Sequence, residues 1–415
     1  MRAICLYLHV HQPYRVRAYS IFEVARDHNY WKADYYSKQS NERIFKKVAE
    51  KSYHPMFDLI ERNIKRFPDF KVSLSITGTW LEQAEEWDPA LIAQVRRMVK
   101  TGQVEIVAET YYHSLAFFYD QAEFESQVER HQTRIEQLFG VKTKVFRDTE
   151  FAYNDKLGEW IDTVGFSKFG FKGCLTEGWD KVLGWRSPNH IYRAPNAKNT
   201  RLLLKNYRLS DDIAFRFSDQ NWKEWPLTVN KYQNWLDMDC LRGNLVNLFM
   251  DFETFGENQW ADTGIFEFME NLISKWLAVY ENKFVTVSEA LELEEPVDEV
   301  AMPQTVTWAD TERDLSAWAG NSMQDEAERI LYDMRKDVMM TGDQRLINDW
   351  RRLTTSDHPY YMCTKYWNDG DVHAYFSPYD SPYDAFMYFM NAVRDLQYRL
   401  MNNQKKRENS TKNLT

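Results

Sequence analysis

The sequence predicts an α/β fold organised on a parallel sheet, as either a barrel or a doubly wound sheet. Three observations carry that prediction. Short apolar runs recur through the first 250 residues of the 415. The segments between them show helical periodicity, and strand, helix, strand in series calls for crossovers and parallel neighbours. Each run also ends in a cluster of acids, histidines or aromatics, where parallel α/β sheets bind ligands.

The strand candidates are AICLYLHV (3–10), KVSLSI (71–76), QVEIVA (103–108), KVFR (144–147) and NLVNLFM (244–250). Between the second and third, Asp88 can cap a helix and Pro89 suits its first turn. Leu91, Val95, Met98 and Val99 share a face, and Gly102 stops it. Residues 121–139 repeat the device, with Phe124, Val128, Ile135, Leu138 and Phe139 apolar and Gly140 following. Residues 175–240 break the rhythm. They are rich in Trp, Arg, Asn and Pro and read as a long excursion of the kind that builds binding surface. Past residue 295 the pattern turns helical, with one stripe at Ala327, Ile330, Leu331, Met334 and Val338 and another at Phe386, Phe389, Met390, Val393 and Leu396. The expected organisation is a catalytic barrel over 1–295 with an insert near 175–240, a helical C-terminal domain over 296–402, and a disordered polar tail over 403–415.

A net charge of −10 argues against a nucleic-acid partner, because phosphate backbones need clustered Lys and Arg. The basic cluster Lys405-Lys406-Arg407 lies in the polar tail. Cys5, Cys174, Cys240 and Cys363 form no C-x-x-C pair, so neither a disulfide framework nor a cysteine metal site is expected. There is no signal-peptide pattern and no run of eighteen apolar residues, and the expected location is the cytoplasm, away from membranes. The aromatic share of 15% suits sugar stacking, but also core filling.

Alternation along a strand puts residues two apart on one face. His9 and His11 therefore end the first run on the face of Cys5 and Tyr7. Trp80 and Glu82 follow the second run; Glu109, Tyr111, Tyr112 and His113 follow the third; Asp148 and Glu150 follow the fourth. Asp251 and Glu253 end the last run on the face of Asn247 and Phe249. Two readings stay open on these residues alone. Glu150 and Asp251, from different strands, can flank a glycosidic bond as the carboxylate pair of a glycoside hydrolase. Alternatively His9, His11 and a carboxylate can hold a zinc ion for hydrolysis. DFETFG lacks the D-x-D-x-D-G spacing of a calcium loop.

Five motifs in order, HVHQP (9–13), GTWLE (78–82), FRDTEF (146–151), MDFETFGE (250–257) and TVSEAL (286–291), resemble those of glycoside hydrolase family 57. The stretches WADTERDLSAWAGN (308–321) and 360–386 resemble its α-amylase-type members. The resemblance implies an incomplete (β/α)7 barrel with a C-terminal α-helical region that helps close the site. It implies a retaining enzyme on α-glucans or maltooligosaccharides, with Glu150 as nucleophile and Asp251 as acid/base, and with no metal or cofactor. His11 and Glu82 match substrate-pocket positions, with His9 beside them, while Trp80, His113, Glu253 and Trp308 are further candidates for lining glucan subsites. Within the family, a 4-α-glucanotransferase or branching enzyme is the alternative. Outside it stand a metal-dependent carbohydrate deacetylase or mannosidase and a non-catalytic glucan-binding protein.

Overall fold

A computed structural model describes residues 2–365 and 377–412, so part of the stretch 360–386 lies outside the described residues. The chain divides into two compact units. The first comprises Met1–Gln12, Phe45–Tyr111 and Val128–Trp308, and the second Pro13–Ile44, Tyr112–Gln127 and Ala309–Thr415.

The first unit is the barrel. Its strands are β1 (Arg2–Val10), β2 (Val72–Ile76), β3 (Val104–Val107), β4 (Val145–Arg147), β5 (Gly173–Glu177), β6 (Ile191–Arg193), β7 (Arg201–Lys205), β8 (Leu245–Asp251), β9 (Asn282–Val285) and β10 (Asp298–Glu299). One sheet runs β3-β2-β1-β8 in parallel, with β9 on β1, and the other runs β10-β6-β7-β5-β4. A parallel bridge from Ala108 to Phe146 joins β3 to β4 and so links the two sheets. The run β8-β1-β2-β3-β4-β5-β7 therefore supplies seven parallel strands. Among the described residues β7 and β8 share no ladder. Asn206 N–H instead donates to the Asn247 carbonyl (2.9 Å), and the Asn247 amide donates to the Leu204 carbonyl (2.9 Å). This is an incomplete (β/α)7 barrel.

β1 is buried on both faces, as expected of a central parallel strand. Its edges are unequally shared. β8 pairs with Ala3 through His9, while the other edge is divided between β9, on Arg2 through Cys5, and β2, on Tyr7 through Val10. Alternate residues fill the interior: Ala3, Cys5 and Tyr7 meet Val107, Val145, Leu175, Leu203, Leu245 and Phe249 in one apolar cluster. The next residues of the same parity, at or just past the carboxyl ends, are all polar: His9, Thr77, Glu109, Arg147, Glu177, Lys205 and Asp251. An apolar plug thus carries a polar layer with one residue from each of the seven strands.

The helices follow their sequence cues closely. Pro89–Val99 begins on its proline, and Gln121–Phe139 occupies the expected span. The fifth motif, TVSEAL, is a helix start. Thr286 accepts from Glu289 N–H while Glu289 accepts from Thr286 N–H, a reciprocal capping box. The stretch 175–240 is partly scaffold, since it holds the end of β5 and all of β6 and β7.

The second unit is largely helical, with Ser322–Asp333, Arg335–Thr341, Gln344–Leu353 and Pro382–Lys412 as its principal C-terminal elements. Among the described residues no helix is long and apolar enough to cross a membrane.

Candidate active site

The polar layer is wired as a chain of charges. Register places His9 opposite Asp251. His9 Nδ1 lies 3.4 Å from Asp251 Oδ1, and its Nε2 lies 3.2 Å from Glu109 Oε2. Behind Glu109, Arg147 approaches to 3.7 Å, and both side chains are fully buried. Asp251 keeps 45% of its side chain exposed. A buried pair thus backs a histidine that orients a carboxylate open to solvent.

Glu150 reaches the same layer from a short turn after β4. Its backbone is left-handed (φ 58°, ψ 24°). For a non-glycine residue that conformation costs on the order of 1–3 kcal/mol, so neighbours must hold it. Phe151, completely buried, packs against Tyr7, Phe249 and Trp308 and anchors the turn. The Trp308 indole N–H donates to Glu150 Oε2 at 2.6 Å, and Trp308 N–H donates to the Glu150 carbonyl at 3.2 Å. Trp308 is delivered by the bridge between Tyr153 and Val306. Its ring also sits edge-on to His9, with 6.3 Å between centroids. Trp308 and His9 together connect the two carboxylates, one holding Glu150 and the other Asp251.

Arg147 lies against the rings of Phe151 and Trp308, each 5.2 Å from its guanidinium carbon. Burial works against its charge, but Tyr7, Glu109, Glu150 and Asp251 together raise its pKa and keep the cation in place. Lys205, from β7, approaches the Trp308 ring (5.4 Å) and bonds to Asp211 (2.8 Å), with Glu177 at 3.6 Å.

The remaining sequence candidates fall into different settings. His11 stacks on His9 (5.6 Å, 15°) and its Nδ1 meets Thr77 Oγ1 at 3.0 Å. Glu253 accepts from the Tyr53 hydroxyl at 2.7 Å and from His11 N–H at 3.4 Å. Burial, reinforced by the charge on Asp251, pushes the Glu253 carboxyl up to about 8. Gly256, which follows in the same motif, has φ 107°, and a Cβ there would lie 1.9 Å from the Lys51 carbonyl, so only glycine lets this loop close. Glu82 lies on helix Gly78–Trp87 and accepts from Tyr111 (3.1 Å), with Arg130 at 3.7 Å. Trp80 is not brought to the polar layer. It is completely buried among Phe45, Tyr53 and Phe57. His113 belongs to the second unit, where it is buried with a positive φ of 52° and its carbonyl accepts from Ser356 N–H.

The motifs place Glu150 and Asp251 but not the groups behind them. Glu177 and Lys205 go unread because GCLTE and RLLLK are short and polar-ended. The usable signal is parity with His9 at the carboxyl end of each run.

A charged layer of this kind can serve many reactions, and the comparisons with known proteins decide the class. The family model described as glycosyl hydrolase family 57 matches residues 5–303. The chain belongs to that family. It is 40% identical over 401 residues to a Methanocaldococcus jannaschii protein named "Putative alpha-amylase", covering 94% of this chain and 83% of that protein. Among solved structures, the family 57 branching enzyme of Thermococcus kodakaraensis shares the fold with a TM-score of 0.68 at 14% identity, covering 97% of this chain and 90% of that one. The 4-α-glucanotransferase of Thermococcus litoralis has a TM-score of 0.65 at 16% identity over 86% of this chain, and the match spans 56% of that longer protein. This family 57 chain is therefore a glycoside hydrolase in a family that works on α-glucans.

Proposed function

We propose that this family 57 enzyme is a retaining α-glucan hydrolase of the α-amylase type, with Glu150 as nucleophile and Asp251 as acid/base. The observation that carries the reading is the opposed holding of two carboxylates. Glu150 is fixed in a left-handed turn by the Trp308 indole, and Asp251 is presented, solvent-accessible, by His9.

In the first step Asp251 gives its proton to the glycosidic oxygen as the C–O bond breaks, and Glu150 attacks the anomeric carbon to form a glycosyl ester. In the second, Asp251 takes a proton from water, whose oxygen displaces Glu150. The Trp308 N–H bond fixes the plane of the attacking carboxylate, and the buried Arg147 cation favours the ionised form of Glu150. The 40% identical relative named as an α-amylase supports hydrolysis over transfer.

The test combines products with rescue. Incubation with maltooligosaccharides should give shorter chains, and longer or branched products would replace the hydrolase reading with a transferase. Azide added to Glu150→Ala should restore cleavage with an inverted glycosyl azide product. An inverted azide product from Asp251→Ala, where the acid/base role requires a retained one, would exchange the two roles. Loss of wild-type activity on chelation would favour the metal-dependent reading.

A further inference from the structure

We infer that the stretch 175–240 builds a second carbohydrate site, a cleft of about 1240 Å³ that takes a segment of an α-glucan chain apart from the catalytic carboxylates. The inference rests on the α-glucan reading above and adds a site to it. None of the residues in the polar layer lines this cleft. Asn206, next in sequence to Lys205, marks the divergence. Lys205 turns to Trp308, whereas Asn206 forms part of the cleft wall.

The floor of the cleft is fixed. Asn206 caps helix Tyr207–Ala214 and donates to Asn189 Oδ1 (3.0 Å) and to Asp239, while Asn189 also donates to Asp239 (3.0 Å). Gly178 lets the loop after β5 seat directly on the end of β7, because a Cβ there would stand 2.1 Å from the Lys205 carbonyl.

Two properties select the occupant. The first is charge. Five carboxylates line the cleft, and four are in ion pairs: Asp180 with Arg208 (2.5 Å), Asp212 with Arg216 (2.6 Å), Asp298 with Arg186 (2.7 Å) and Glu224 with Lys231 (3.5 Å). The fifth, Asp239, accepts from Asn189 and Asn206. The lining holds five cations as well, Arg186, Arg208, Arg216, Lys223 and Arg242, which balance the five carboxylates. A charge-balanced wall presents hydrogen-bonding groups without an excess of either sign, which suits a neutral polyhydroxylated ligand rather than a phosphate or an acidic polymer.

The second property is aromatic surface. Trp185, Tyr207, Trp222 and Trp235 line the cleft, with Trp222 and Trp235 edge to face at 6.0 Å. Trp185 is 88% exposed, so its indole is open to a ligand entering the cleft. The C–H faces of pyranose rings pack on such indoles. The volume exceeds the roughly 300–1,000 Å³ of a site for one compact small molecule, leaving room for several linked rings.

The experiment uses affinity electrophoresis of the full chain through gels containing soluble starch, in the Glu150→Gln background so that the polymer survives. Adding Trp185→Ala should weaken retention roughly tenfold, the effect of returning one ring face to water. Trp185→Phe should keep most of it. In the enzyme with Glu150 intact, Trp185→Ala should leave kcat/KM on short maltooligosaccharides unchanged. Unchanged retention in Trp185→Ala overturns the cleft while leaving the α-glucan reading intact. An equal fall in short-substrate turnover also overturns it, because the ring would then belong to the catalytic groove. Failure of the parent both to bind starch and to cut maltooligosaccharides brings down the α-glucan reading itself.

Discussion

Both units bury carboxylates beside arginines, yet the two sets are wired to different ends. In the barrel unit the chain Arg147–Glu109–His9 runs outward along strand ends and finishes on Asp251, which water can reach. In the helical unit Glu123, fully buried, is gripped by Arg351 at 2.8 Å with Arg335 at 3.7 Å, and burial raises its pKa against the pull of Arg351. Asp395, equally buried, is closed off by the Tyr30 hydroxyl (2.5 Å), His28 (2.8 Å) and the Ala25 N–H (2.6 Å). The networks resemble each other in composition and burial. They differ in whether the last carboxylate is open. An open end can exchange protons with a substrate, whereas a closed one only ties segments of the unit together.

The comparison breaks most directly at the open carboxylates. Glu150→Gln is expected to lower turnover roughly 10⁴-fold or more, and Asp251→Asn by about 10²–10⁴-fold. Both variants should leave the circular dichroism spectrum and the melting transition near wild type. Ordinary activity in both would remove the distinction between the two networks. The next effect sets matched arginines against each other. Arg147→Met removes the cation beside buried Glu109, at a cost of about 3–5 kcal/mol in denaturant unfolding, and Arg351→Met removes the nearer of the two beside buried Glu123, where Arg335 at 3.7 Å keeps the cost toward the lower end. Only Arg147→Met should also lower turnover per folded molecule.

A smaller change sharpens the open end alone. Trp308→Phe keeps the ring but removes the N–H that holds Glu150, so kcat should fall by about 1.5–3 kcal/mol equivalent, the value of a hydrogen bond to a charged group. KM for short substrates should move less.

The smallest effect per step is a pH slope. Glu253 and Glu328 both have carboxyls pushed from the ordinary 4.5 to about 8, Glu253 by burial and the Asp251 charge, Glu328 by burial alone. Between those values the folded protein holds a proton that the unfolded chain has released. Stability is therefore lost as pH rises from about 4.5 through about 8. Each Glu→Gln variant should remove on the order of 1.4 kcal/mol per pH unit of that slope, seen in unfolding curves at pH 5, 6.5 and 8. Glu328→Gln should leave kcat untouched at every pH.

Much of this was legible in residues, and the exceptions have physical causes. Period-two alternation placed His9 above Tyr7 and Asp251 above Phe249 because β1 and β8 run straight to the layer. Trp80, expected just past the second run as a candidate for lining a subsite, lies in the core instead. Thr77 caps a helix by accepting from Trp80 N–H, so the period changes from 2 to 3.6 just past β2 and the indole swings into the core. β5 and β7 were hidden because two or three apolar residues ending in Glu or Lys match no half-buried strand pattern. Those charges are tolerated because Lys205 pairs with Glu177 on the neighbouring strand and with Asp211 beyond it, while Glu177 also accepts from Gly178 N–H. That pairing is a tertiary fact no local window contains.

The shared edge of β1 has a consequence for how the protein is made. β1 leaves the ribosome ahead of the other barrel strands, yet His9 meets Asp251 only after 242 further residues, and the lower half of its other edge waits for β9. Until then a nine-residue, almost wholly apolar strand stands with much of its backbone unpaired, a template for association with other nascent chains. The carboxylate pair is thus assembled among the last events of the barrel's synthesis. Recombinant yield should depend on translation speed and chaperone supply more than on the stability of the finished protein.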